Sequence, residues 1–172
     1  MQRRHLLIAA SAPPLLAGCS GELTPGFASW KQARESVLEL LFRPRTLQGA
    51  WTLPQMLQHA AQSIEYSMQG FPEAKSALFR HTIGKAAFAV FDARGKMNHD
   101  LAEPIPGAPA LDAQHALKTS VQRLLDAMEA FAAFKGELKP HFAYGELSRA
   151  EYERAHLMHL ANHWTQLQPA RS

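Results

Sequence analysis

Three histidines fall within eight residues near the C-terminal end of this sequence: His156, His159 and His163. The stretch around them starts like a helix. Ser148 followed by Glu151 fits a capping box, in which each side chain satisfies a backbone N–H of the first turn. At about 100° per residue, Tyr152, His156, His159, Leu160, His163 and Leu167 share one face, while Glu153, Arg154 and Asn162 lie off it. The histidines therefore occupy the stripe that should meet the core, where unpartnered ring nitrogens cost free energy. Either core groups satisfy them or an ion does. His159 and His163 are four apart, close enough for both rings to converge on one ion. This is the spacing by which zincins hold zinc, here without their intervening glutamate. His156 and His163 are about 10 Å apart along the axis, so one ion cannot take all three rings.

The chain that must position these groups begins with an address. Arg3 and Arg4 precede a short apolar run from Leu6 to Leu16, too short to span a bilayer as a permanent helix. Leu16-Ala17-Gly18-Cys19 matches a bacterial lipobox, and Cys19 is the sole cysteine. Residues 1–18 read as a lipoprotein signal peptide and Cys19 as the lipidation site, with export through either the twin-arginine or the Sec route. Localisation in the cell envelope follows: lipid-anchored, facing the periplasm, with Ser20 pointing toward the outer membrane. Residues 19–26 read as a tether and residues 27–172 as one helical domain. Without the signal peptide, 16 basic side chains face 15 acidic ones. No basic stripe interleaves with aromatics, so nucleic acid is not an expected partner. A chain of about 150 residues buries enough surface to stand without disulfides.

The domain reads as all-α. Helix one is expected over 27–41, with Val37, Leu38, Leu40, Leu41 and Phe42 apolar. Thr52 and Pro54 open helix two, whose core face comprises Leu53, Met56, Leu57, Ala60, Ala61, Ile64 and Met68; His59 sits beside that face. Helix three is expected over 73–92, with Leu78, Ile83, Ala87, Val90 and Phe91 inward. A proline-rich loop follows over 95–109, of a length that often borders a site. Helix four is expected over 112–134, and a turn through His141 and Tyr144 leads into the histidine helix. No segment alternates long enough to be a strand, and there is no internal repeat or second domain.

Trp51 placed eight residues before His59, followed much later by His159-x-x-x-His163, resembles the DinB/YfiT-like metalloenzyme superfamily. The segment Pro140-His-Phe-Ala-Tyr-Gly-Glu-Leu147 is similar to a branch of it whose function is unknown. The likeness covers about Phe27 to Leu167. It implies a four-helix bundle with an additional helix or long loop, and a divalent metal ion (zinc, nickel or iron) held by His59, His159 and His163. The sequence departs from many relatives after His163, where Trp-Thr-Gln-Leu replaces Leu-Arg-Gln-Phe. Three imidazoles leave a coordination position open, which suits catalysis. Some members of the superfamily transfer thiols such as bacillithiol or mycothiol.

No carboxylate stands out as a general base, since Glu65 falls on the outer side of helix two and Glu146 is near the last helix only in sequence. His156, His141, Tyr144 and Tyr66 are candidates for groups that contact the ligands or the substrate. His81, His99 and His115 read as surface or loop histidines. Two functional classes stand: a lipid-anchored metal-dependent enzyme, a hydrolase or thiol transferase, or a non-catalytic envelope bundle that binds a small molecule or a protein. A small-molecule ligand and a homodimer are both left open as partners.

Overall fold

In a computed structural model describing residues 20–170, α2 (Leu53–Gln69) is the element on which the rest packs. Its start is doubly fixed. The Thr52 hydroxyl accepts from the Gln55 backbone N–H, and the Gln55 side chain accepts from the Thr52 N–H at 2.9 Å. Pro54 sits in the first turn, where no intrahelical N–H is lost. Met56, Leu57, Ala60, Ala61 and Ile64 are buried as expected, and so are Gln58, His59, Gln62 and Ser63. The helix is thus covered on almost every side, by α5 (Leu117–Ala133) and α6 (Arg149–Trp164).

The shorter α1 (Trp30–Glu39) closes the core against α5 and α6, and its Trp30 Nε1–H donates to the Met128 carbonyl at 2.9 Å. It buries Ala33 and Val37, one stripe at a four-residue step, with Leu40 just beyond its end. Of the other apolar residues noted for helix one, Leu38 on the opposite face and Leu41 and Phe42 beyond the helix end at Glu39 are exposed. Two strands of three residues, β1 (Arg45–Leu47) and β2 (Leu167–Pro169), pair antiparallel and tie the link between α1 and α2 to the C-terminal segment. Such strands are too short to show alternation in sequence.

The expected third helix is divided. After α3 (Ala77–Phe79), a π-helical turn over Arg80–Gly84 leads into α4 (Lys85–Arg94). The wider turn shifts the apolar pattern that follows it, so Val90 faces outward while Phe88 is buried; Leu78 before the turn and Ile83 within it are exposed as well. Gly84 explains the local geometry: a Cβ there would lie 1.8 Å from the Ala143 carbonyl oxygen, so only a bare backbone fits against the segment that carries His141. At the other end, Gly95 closes α4 in the left-handed region (φ 63°).

From Gly95 to Ala116 the chain has no helix or strand. Three glutamines of α2 hold it. Gln55 donates to the Leu111 carbonyl at 3.2 Å, Gln62 to the Pro109 carbonyl at 3.1 Å, and Gln58 exchanges two bonds with the Asp112 backbone at 2.8 and 3.1 Å. With Asp112 held this way, α5 begins at Leu117 and not at the expected Asp112.

The segment expected to be a tether is docked at its start. Ser20 Oγ donates to the Asp92 carboxylate at 2.7 Å and the Gly21 N–H to the Asp92 carbonyl at 2.8 Å. Arg154 of α6 donates to the Gly21 carbonyl at 2.9 Å and pairs with the Asp92 carboxylate. The expected signal peptide and Cys19 lie outside the described residues. Among the described residues no helix is long and apolar enough to cross a membrane.

Candidate metal centre

The capping box foreseen for the last helix is present, with the Ser148 hydroxyl accepting from the Glu151 N–H and Glu151 accepting from the Ser148 N–H at 2.7 Å. It sets the register of α6, on which Tyr152, His156, Leu160 and His163 are buried and His159 half-buried. Across from it, His59 projects from the buried side of α2. Nε2 of His59 lies 3.1 Å from Nε2 of His159, and Nε2 of His163 lies 3.1 Å from the same atom. One hundred residues of chain separation are closed by the packing of α2 on α6. Trp51 forms one wall, its ring 4.9 Å from His59 and stacked 6.1 Å from His163.

A fourth histidine joins them. His99, expected to be a surface or loop residue, is carried by the strapped loop to ring-centroid distances of 4.9 Å from His159 and 5.3 Å from His163. One nitrogen from each of His59, His99, His159 and His163 lies within 4.8 Å of all the others. Nδ1 of His99 meets the Asn162 side-chain amide at 2.9 Å. The amide nitrogen donates to Nδ1 there, so the neutral ring carries its proton on Nε2. Sequence pattern missed His99 because a loop residue has no periodicity. The signals that were available are the length of the loop and the position of Asn162 beside the histidine face.

A neutral imidazole nitrogen carries either one proton or one in-plane lone pair, so with neutral rings Nε2 of His159 meets both contacts only by sharing its lone pair between two N–H donors. Charging the rings is opposed by burial. His59 is pushed down to about 3 by desolvation and then by His99, His163 to about 3 by desolvation and then by His59 and His99, and His159 is lowered by desolvation and then by its histidine neighbours. His99 is also lowered by burial, against the opposing pull of Glu103 and Asp100. Four neutral rings with converging nitrogens suit a cation. Tetrahedral ligands at 2.0–2.1 Å from zinc lie about 3.3 Å apart, close to the 3.1 Å observed here.

The outer nitrogens fit the same pattern. Nδ1 of His59 and Nδ1 of His163 are sealed from solvent without partners, as is Oε1 of Gln166, which lies beside His163 and favours its protonated ring.

A cavity of about 280 Å³ opens beside this cluster, reached by His59, His99 and His159 and continuing to His141, Tyr144 and His156. His156 does not join the four. It packs edge-on against Phe131 at 5.1 Å and over Tyr152 at 5.5 Å, with Nε2 sealed and unpartnered. His141 stacks on Tyr144 at 4.3 Å. Tyr66 packs on Phe71 at 5.9 Å and lies outside the cavity lining. Glu65 forms a two-bond ion pair with Arg123, at 3.0 and 2.7 Å. His81 is exposed, and His115 bonds Ser120 at 3.0 Å.

Fold and site together define a mostly helical domain with a buried four-histidine cluster that could hold a metal ion. Residues 23–170 match a family described as proteins of unknown function, DUF1569, and the chain belongs to that family. No curated protein and no solved structure matches it.

Proposed function

We propose that this protein binds a divalent cation through His59, His159 and His163, with His99 as a fourth ligand, and uses it on a small molecule in the adjoining cavity. The observation that carries this reading is the convergence of four ring nitrogens within 4.8 Å of one another, with Nε2 of the other two helix-borne ligands, His59 and His163, each 3.1 Å from Nε2 of His159. Three ligands stand on α2 and α6, while His99 stands on a loop, so His99 is the ligand that can yield its place. A divalent ion would supply Lewis-acid chemistry toward water or a thiol, giving a hydrolase or a thiol transferase. The chain's own residues bind the ion as neutral imidazoles and shield the centre with Trp51.

In this reading α1, α2, α5 and α6 are the four helices of a DinB/YfiT-like bundle, and α3, α4 and the strapped loop are additions. Cys19 is acylated and holds the domain at a periplasmic membrane face. Cys19→Ser should release the protein from membranes on fractionation, and unchanged attachment would refute the anchor.

A second reading is favoured by the number of histidines. Four protein ligands close a tetrahedral site, as in structural zinc centres of non-catalytic proteins. His99→Ala decides between them. A catalytic centre keeps most of its metal and its stability, whereas a structural centre loses both. The metal itself is tested by elemental analysis of purified wild type, His59→Ala and His81→Ala. Near-stoichiometric metal in the first and third, with little in the second, is expected; equal content in all three would refute it.

A further inference from the structure

Beyond the cluster, the cavity contains a second polar feature that metal binding does not use. Nδ1 of His141 accepts from the backbone N–H groups of Ala143 at 3.1 Å and Tyr144 at 3.2 Å. The neutral ring therefore carries its proton on Nε2. Nε2 makes no hydrogen bond among the described residues, and unlike Nε2 of His156 it is not sealed from the cavity that His141 lines. The ring cannot turn away. Tyr144 stacks on it, and Phe71 and Phe142 flank it at 5.0 and 4.6 Å. Burial, aided by nearby His156, pushes His141 down to about 3, so the ring remains a neutral donor.

Two points of attachment are thus offered by one cavity. His141 packs 6.2 Å from Tyr152, which precedes His159 by seven residues on α6, a separation of about 10 Å along the axis. Phe79, Met97, Ile105, Phe142 and Ala155 supply apolar walls, while the charged lining residues Lys75 and Glu103 are exposed. We infer that the cavity takes a neutral, largely apolar small molecule whose carbonyl-type oxygen accepts the His141 Nε2–H while its other end lies at the histidine cluster. The cluster end rests on the metal reading above; the His141 end does not. A buried donor left without an acceptor is costly, so a ligand lacking the oxygen is rejected.

The test uses 4-(imidazol-4-yl)acetophenone and 4-phenylimidazole, titrated into cobalt-loaded protein with the visible spectrum as readout. The ketone should bind wild type at least about tenfold more tightly, the size of one well-made hydrogen bond to a buried donor. His141→Phe and His141→Asn should abolish that preference while leaving cobalt binding unchanged. The asparagine variant keeps a side-chain acceptor for the two backbone N–H groups, which guards against a result due to misfolding. Equal binding of both compounds to wild type, or a preference retained in the variants, would overturn the inference. If cobalt does not bind, the metal reading fails separately. Acetophenone against its isostere α-methylstyrene, titrated calorimetrically into metal-free protein, then decides the His141 end by the same comparison.

Discussion

Two groups of buried histidines lie along α6, and they differ in where their nitrogens go. In the first group, His59, His99, His159 and His163 point nitrogens at one another, and the outer Nδ1 atoms of His59 and His163 find no partner. In the second, His141 has one nitrogen committed to two backbone N–H groups and lies among aromatic rings, and His156 is packed between Phe131 and Tyr152. Burial alone therefore does not mark a metal site. Convergence does, because mutually facing lone pairs are unfavourable until a cation lies between them.

The largest effect expected from breaking this contrast is loss of metal. His59→Ala, His159→Ala or His163→Ala should each lower metal content from near one per chain to near none, because only two helix-borne imidazoles and the loop-borne His99 remain. His156→Phe should leave it unchanged. Loss in His156→Phe would erase the distinction between the groups.

Acid comes next. His141 and His156 lie outside the metal set, and both are held to about 3 by burial against an unfolded value of 6.5. Below pH 6.5 the unfolded chain takes up protons that the folded chain refuses. Stability is therefore full above about 6.5 and falls as pH drops toward 3, by about 1.4 kcal/mol per pH unit for each ring. Urea midpoints of metal-free protein at pH 7.5, 6.0 and 5.0 measure this, and a flat profile would contradict the assigned neutral rings.

A smaller effect sharpens the first group internally. His99→Ala should weaken cobalt affinity by about tenfold, a loss of one ligand worth roughly 1.4 kcal/mol, far less than removal of a ligand on α2 or α6. Titration against a competing chelator gives the number, and a loss as complete as that in His59→Ala would make the site a closed structural one.

The smallest concerns His156 alone. With Nε2 already unpartnered, His156→Phe removes a buried orphan at similar volume, and the melting temperature should stay level or rise, within about 1 kcal/mol. A cost of several kcal/mol would mean that this nitrogen has a partner after all.

Part of this arrangement is legible in the sequence. Thr52 with Gln55 and Ser148 with Glu151 mark the starts of α2 and α6, and once both helices are placed, His59, His159 and His163 follow from spacing and from resemblance. His99 was not legible, because it lies on a loop held at its far end by Gln55, Gln58 and Gln62 and at its ring by Asn162, and polar side chains on a helix carry no record of which group they bond. The outward turn of Val90 was hidden for a different reason. One extra residue in a π-turn shifts every later side chain around the helix, and the close approach of Gly84 to Ala143 within it is a contact between segments. Apolar residues at the end of α1 look the same in sequence whether covered or not, so Phe42 could not be told from Leu40.

X-ray absorption at the zinc edge of the zinc-loaded protein tests the central claim most directly. The account predicts a first shell with at least three nitrogens at 2.0–2.1 Å and the outer-shell scattering of imidazole rings, which is lost in His163→Ala. A shell of oxygens only, or a spectrum identical in wild type and His163→Ala, would contradict it.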